Sequence, residues 1–99
     1  MYLIRDIMYC KPGQARPMVE KFKAMSKLLK AQGFNPFRVL TDVSAERYWT
    51  VVAEMEVDDF EKFVKESRSA MGNDEAAKIM KGYHDLVEGG RREIYMVEG

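Results

Sequence analysis

Along this chain, stretches in which apolar residues recur at every second position give way to stretches in which they recur every third or fourth. Residues 2–10 are dense in β-branched, aromatic and other apolar side chains, and Lys11-Pro12-Gly13 closes them, which predicts a strand followed by a turn. Over 14–32, Met18, Phe22, Met25 and Leu29 step by four, three and four, so they gather on one face of a helix that Leu28 widens. Pro17 falls in the first turn, where its missing N–H costs little, and Gly33 follows as the stop. Phe37, Val39 and Val43 alternate through 37–43, as a half-buried strand requires, and Ser44-Ala45-Glu46 is short enough for a hairpin. The clearest period of two lies in 47–57. There Trp49, Val51, Ala53, Met55 and Val57 share one face, while Tyr48, Thr50, Val52, Glu54 and Glu56 share the other.

Asp58 with Glu61 resembles a capping box, and Phe60, Phe63, Val64, Ser67 and Met71 continue at helical spacing, so a second helix is expected over 59–71. Gly72-Asn73-Asp74 interrupts it. A further helical stretch carries Ala76, Ile79, Met80 and Tyr83, and Glu88-Gly89-Gly90 is read as the chain reversal that ends it. Residues 91–97 then alternate Arg92, Ile94 and Met96 against Arg91, Glu93, Tyr95 and Val97 as a fourth strand. The order is β-α-β-β-α-β, the split βαβ of an α+β, ferredoxin-like domain: a four-stranded antiparallel sheet with the helices on one face. One such domain accounts for residues 1–99. The second sheet face is left bare, and residues such as Tyr48, Val52 and Tyr95 give it too much apolar area for a face that meets only water. A homodimer joined through that face, making a dimeric α+β barrel, would cover it.

Charge and composition narrow the partners. Sixteen basic residues balance sixteen acidic ones with the signs interspersed, so there is no sustained positive field and nucleic acid is not an expected partner. No apolar run approaches the ~20 residues that span a bilayer, and Arg5 and Asp6 interrupt the first apolar residues before a secretory core can form. A cytoplasmic protein without a membrane partner is expected. Cys10 is the only cysteine, which excludes an internal disulfide and a multi-thiolate metal site; it is read as a small buried strand residue.

Lys11-Pro12-Gly13 after the first strand, Gly33 after the first helix, Asp58-Asp59-Phe60 opening the second and the run from Leu86 to Tyr95 leading into the last strand are fold-making features spread over the whole chain. Through them the sequence resembles the dimeric α+β barrel superfamily, and within it the NIPSNAP-like and antibiotic-biosynthesis-monooxygenase-like small proteins. The resemblance implies the dimer. For the monooxygenase-like members it also implies cofactor-independent oxygenation or isomerisation of a planar aromatic or quinone-like substrate. Haem-degrading members combine an asparagine on the first strand with a tryptophan and a histidine. Here Asp6 stands in place of the amide, and Trp49 and His84 are farther apart in the chain than that pair.

His84 is the one side chain of a type that titrates near neutrality, so it is the candidate proton carrier, although a helix-end residue is the simpler reading. Trp49 and Tyr83 would wall a pocket for a small aromatic ligand, with Asp6 and Tyr48 as further ligand-binding candidates; as a lone tryptophan on an apolar strand face, Trp49 is also expected in the core. A single histidine makes no metal pair, and neither a metal nor a cofactor is expected. Three functions therefore compete: small-molecule binding, cofactor-independent catalysis, and assembly alone.

Overall fold

Two apolar stripes at helical spacing and one strongly alternating strand dictate most of the architecture. The computed structural model describes residues 1–99, the Met71 side chain excepted. In chain order the elements are β1 (Tyr2–Cys10), α1 (Ala15–Ala31), β2 (Arg38–Thr41), β3 (Thr50–Val57), α2 (Phe60–Met71), α3 (Asp74–Met80), a 3-10 turn (Tyr83–Asp85) and β4 (Val87–Met96). The strands form one sheet in the order β2-β3-β1-β4, antiparallel throughout. This is the ferredoxin-like βαββαβ arrangement, with the second helix in two pieces. None of the helices is long and apolar enough to cross a membrane.

The pleat sends alternate residues to opposite faces, so the register decides what each face carries. Ile4, Asp6, Met8 and Cys10 of β1 lie on the helix side, level with Met55, Ala53 and Val51 of β3. Under α1, the buried Met18, Val19 and Phe22 meet Cys10, Val51 and Ala53. Under α2, Phe63 meets Ile4 and Val57 in a second cluster. Asp6 sits on β1 between the two. Burying a side chain the size of Met18 or Phe22 contributes roughly 1.5–3 kcal/mol, so the α1 stripe supplies much of the packing energy.

The helix ends follow their chemistry. After α1, Gly33 adopts a left-handed φ of 80°, its N–H donates to Lys30 O (3.1 Å) and the Phe34 N–H to Leu29 O (2.9 Å), the paired bonds of a Schellman motif. At the start of α2 it is Asp59, not Asp58, that caps: its carboxylate accepts from the Lys62 N–H at 3.0 Å. Asn73 caps α3 by accepting from Glu75 and Ala76, which restarts the helix after Gly72. Lys21 of α1 donates to the Ile79 (3.1 Å) and Lys81 (2.6 Å) carbonyls, closing the far end of α3 and tying it to α1.

Four further expectations need correction. β2 stops at Thr41 and β3 starts at Thr50, so residues 42–49 form a wide connection rather than a short hairpin, and Val43 is fully exposed. Trp49 is not a core strand residue: it lies before β3 with a φ of 61° and is 42 % exposed. Side-chain periodicity cannot register such a backbone reversal, which Asp42 fixes by accepting from the Thr50 N–H at 2.9 Å. The helix after Asn73 ends at Met80, and the chain turns at Gly82, whose φ is 82°, and the 3-10 turn. Gly89 and Gly90 therefore lie inside β4 and reverse nothing. Gly90 faces the helices opposite Met8, where a Cβ would stand 2.6 Å from the Ile7 carbonyl oxygen; only glycine permits β4 to approach β1 that closely.

Candidate functional site

Between the two core clusters the helices and sheet do not close. A cavity of about 480 Å³ remains, floored by Asp6 and Met8 of β1, Met55 and Val57 of β3 and Arg92 of β4. Met25 and Leu29 of α1, Phe63 and Ala70 of α2 and Ala76, Ala77 and Met80 of α3 form its roof, and Phe34, Phe37 and Tyr83 contribute rings. The small residues of α2 and α3 leave the space that larger ones would fill. Among the described side chains, four methionines line it, Met8, Met25, Met55 and Met80, and unbranched thioethers can repack around ligands of different shape.

Into this mostly apolar wall the chain sets one ion pair. Asp6 and Arg92 are cross-strand partners of β1 and β4, both on the helix side. Arg92 Nε donates to Asp6 Oδ1 at 2.6 Å and its terminal nitrogen to Oδ2 at 3.1 Å, a bidentate fork. Those bonds hold the Arg92 guanidinium above its usual value, against the opposing effect of desolvation. Its carbon also lies 5.6 Å from the centre of the Phe63 ring, which guides its stem along an apolar surface. Both side chains remain partly exposed, so the pair is worth at most ~1 kcal/mol to the fold. Glu66, Ser67 and Asn35 supply the remaining polar groups of the wall.

Two of the five residues singled out in the sequence meet here, Asp6 and Tyr83. Tyr83 is half-buried in the 3-10 turn, packed against the α1 cluster on one side and open to the cavity on the other. His84 is exposed and outside the cavity lining; its ring stacks on Tyr83 with centroids 4.0 Å apart. Trp49 and Tyr48 lie elsewhere, on a shallow groove beside Ala15, Arg16 and Val19 at the start of α1. Asp6, Trp49 and His84 are thus not gathered at one centre. Among the described residues no cluster of His, Cys, Asp and Glu could hold a metal ion. Burial pushes the Cys10 thiol up, as befits a core residue.

Sequence reasoning passed over Arg92, the partner that gives Asp6 its meaning. The signal was present: Arg92 alternates with Ile94 and Met96, so a charge stands on the face those residues assign to the core. Joining it to Asp6, however, required the β1–β4 register across 86 residues.

No family model matches the sequence, and no curated protein matches it. Solved structures do. An uncharacterized NIPSNAP domain protein from Burkholderia xenovorans superposes with a TM-score of 0.78 at 11% identity, over 99% of this chain and 95% of its own. A NIPSNAP family protein from Agrobacterium tumefaciens gives a TM-score of 0.79 at 7% identity, covering 96% and 90%. An antibiotic-biosynthesis-monooxygenase-like protein from Deinococcus radiodurans gives 0.70 at 9%, covering 100% and 94%. At such identities the likeness is one of fold, shared over the whole length of the chain.

Proposed function

We propose that this protein binds a small, largely apolar molecule in the cavity between helices and sheet, and does so as a homodimer joined through the open sheet face. The observation that carries the binding reading is the Asp6–Arg92 pair in a mostly apolar wall. Partly exposed as it is, the pair adds at most ~1 kcal/mol to the fold, so stability alone gives little reason for it. A cavity that must orient a ligand gains a fixed donor and acceptor. The volume falls within the range of small-molecule sites, and the four methionines suit a ligand of aromatic or branched shape. The dimer is supported by half-buried Val52 and Leu40 and by the exposed Tyr95 on a face no helix covers. A single free thiol suits a reducing compartment such as the cytoplasm.

A second reading is favoured by the Tyr83–His84 stack: cofactor-independent oxygenation or isomerisation of a planar aromatic substrate, with Tyr83 at the cavity wall and His84 exchanging protons with solvent. The likeness to the monooxygenase-like protein from Deinococcus radiodurans points the same way. Thermal-shift screening against aromatic metabolites and haem tests the first reading. Stabilisation by at least one aromatic compound, lost in Ala77→Trp, is expected; a flat response across the panel leaves assembly as the function. Turnover of a bound compound that His84→Ala slows would establish the second.

A further inference from the structure

The charges around the cavity do not balance. Asp6 and Arg92 close on each other in the bidentate fork, so each largely neutralises the other. Glu66 of α2 stands in the same wall, half-buried, and its partner is loose: Lys62, one turn earlier on the exposed side of the helix, holds its Nζ 3.8 Å from Glu66 Oε1, beyond the reach of a good hydrogen bond. A smaller pocket beside the cavity shares Asn35, Phe63 and Glu66 with it and adds Asp58, Asp59 and Lys62. Asp59 is engaged as the cap of α2. The four carboxylates of Asp6, Asp58, Asp59 and Glu66 thus stand against two cations, Arg92 and Lys62. The apolar part of the wall also suits positive charge. Aromatic rings attract cations to their faces, and Phe63 already has the Arg92 guanidinium carbon 5.6 Å from its centre.

Resting on the binding reading above, we infer that the ligand is an organic cation: a protonated amine on an aromatic or branched apolar body, with its N–H groups at Glu66 and its body among the rings and methionines of the cavity. An ammonium supplies both the donors and the charge that a half-buried carboxylate lacks when its partner is loose. Lys62 is a weak competitor for Glu66, because its exposed end has water as an equal partner. A hydroxyl would give Glu66 a donor and leave its charge uncompensated. A ligand carboxylate would fare worse. It could reach the N–H groups of Arg92 that Asp6 leaves free, since a guanidinium has five, but it would then lie beside the Asp6 carboxylate on the same guanidinium and share the wall with Glu66. Like charges that close together, in a wall with little water, oppose one another.

Three probes of one shape separate the charge states: naphthylmethylamine, which is protonated near neutral pH, the uncharged naphthylmethanol, and the anion naphthoate. In isothermal titration calorimetry on the full chain, the amine should bind at least ~10-fold more tightly than the alcohol, the scale of a hydrogen bond to a charged group, and naphthoate should bind most weakly. All binding should be lost in Ala77→Trp, which fills the cavity. Equal affinity for amine and alcohol, or tightest binding by naphthoate, overturns the inference and leaves the cavity a binding site. So does a wider aromatic panel in which only uncharged or acidic compounds bind. If neither the three probes nor any compound of that panel binds, the binding reading itself falls.

Two substitutions then assign the anchor. Glu66→Gln keeps the side chain's size and removes its charge, and should weaken the amine at least ~10-fold, to the level of the alcohol, while leaving the alcohol nearly unchanged. Lys62→Gln removes the competing ammonium and should tighten the amine, whereas any binding of naphthoate should weaken. Neither side chain belongs to the core clusters, so both variants should fold, and the comparison of probes on the unchanged chain stands without them. Amine binding that is indifferent to Glu66→Gln, or that weakens in Lys62→Gln, contradicts the inference.

Discussion

The same four strands present two faces that treat charge in opposite ways. On the helix side, Ile4, Met8, Cys10 and Val51 make an apolar floor interrupted by one ion pair, Asp6–Arg92, at the cavity. On the open side, charge is the rule in one full row, Arg38-Glu54-Arg5-Glu93, and apolar residues fill most of the next. An isolated pair in an apolar wall is suited to orienting something that enters. The row on the open side, by contrast, pairs Glu54 with Arg5 and Arg38 within the sheet itself.

The strongest way to break the contrast is to break the register that produces both faces. Gly90→Val drives a side chain into the Ile7 carbonyl and should cost about 3 kcal/mol, the upper end of ordinary overpacking, in chemical denaturation. Neighbouring valines then separate the faces. Val51→Ala, fully buried beneath α1, should lose about 2–3 kcal/mol at any protein concentration. Val52→Ala, one residue on and facing the other way, should lower the melting temperature chiefly where the dimer is populated. Equal losses for both would erase the distinction.

Much of the fold was legible in the sequence because it is written in periodicity: the α1 stripe, the alternation of Val51 to Val57 and the break at Gly72 all stand where the spacing places them. β1 was not legible in its facing, because Asp6 lies among the core residues while Leu3 and Ile7 lie on the open side, so neither alternate set is purely apolar. Gly89-Gly90 was misread for a different reason. A glycine pair marks a turn when local conformation requires it, but here the close approach of β1 does, and that is visible only in three dimensions. Of the candidate site, Asp6 and Tyr83 were within reach, whereas Arg92 needed the pairing of the first strand with the last.

Smaller effects sharpen the comparison. The double change Asp6→Leu with Arg92→Leu should leave stability within ~1 kcal/mol of the parent, since a partly exposed pair contributes little, while weakening ligand binding at least ~10-fold through lost hydrogen bonds to a charged group. A loss of stability several times larger would make the pair structural instead. Least of all should Cys10 respond: its buried thiol, held above the usual range by desolvation, should resist maleimide near neutral pH until denaturant is added. Rapid labelling of the native protein would place it outside the core.

The most direct test of the central claim uses the methionines as reporters. With the methionine methyl groups labelled with carbon-13, titration with the aromatic compounds that raise the melting temperature should shift Met8, Met25, Met55 and Met80 saturably and together, leave Met1 and Met96 unmoved, and fail in Ala77→Trp. Shifts confined to methionines outside the cavity, or undiminished in Ala77→Trp, would contradict a binding site between helices and sheet.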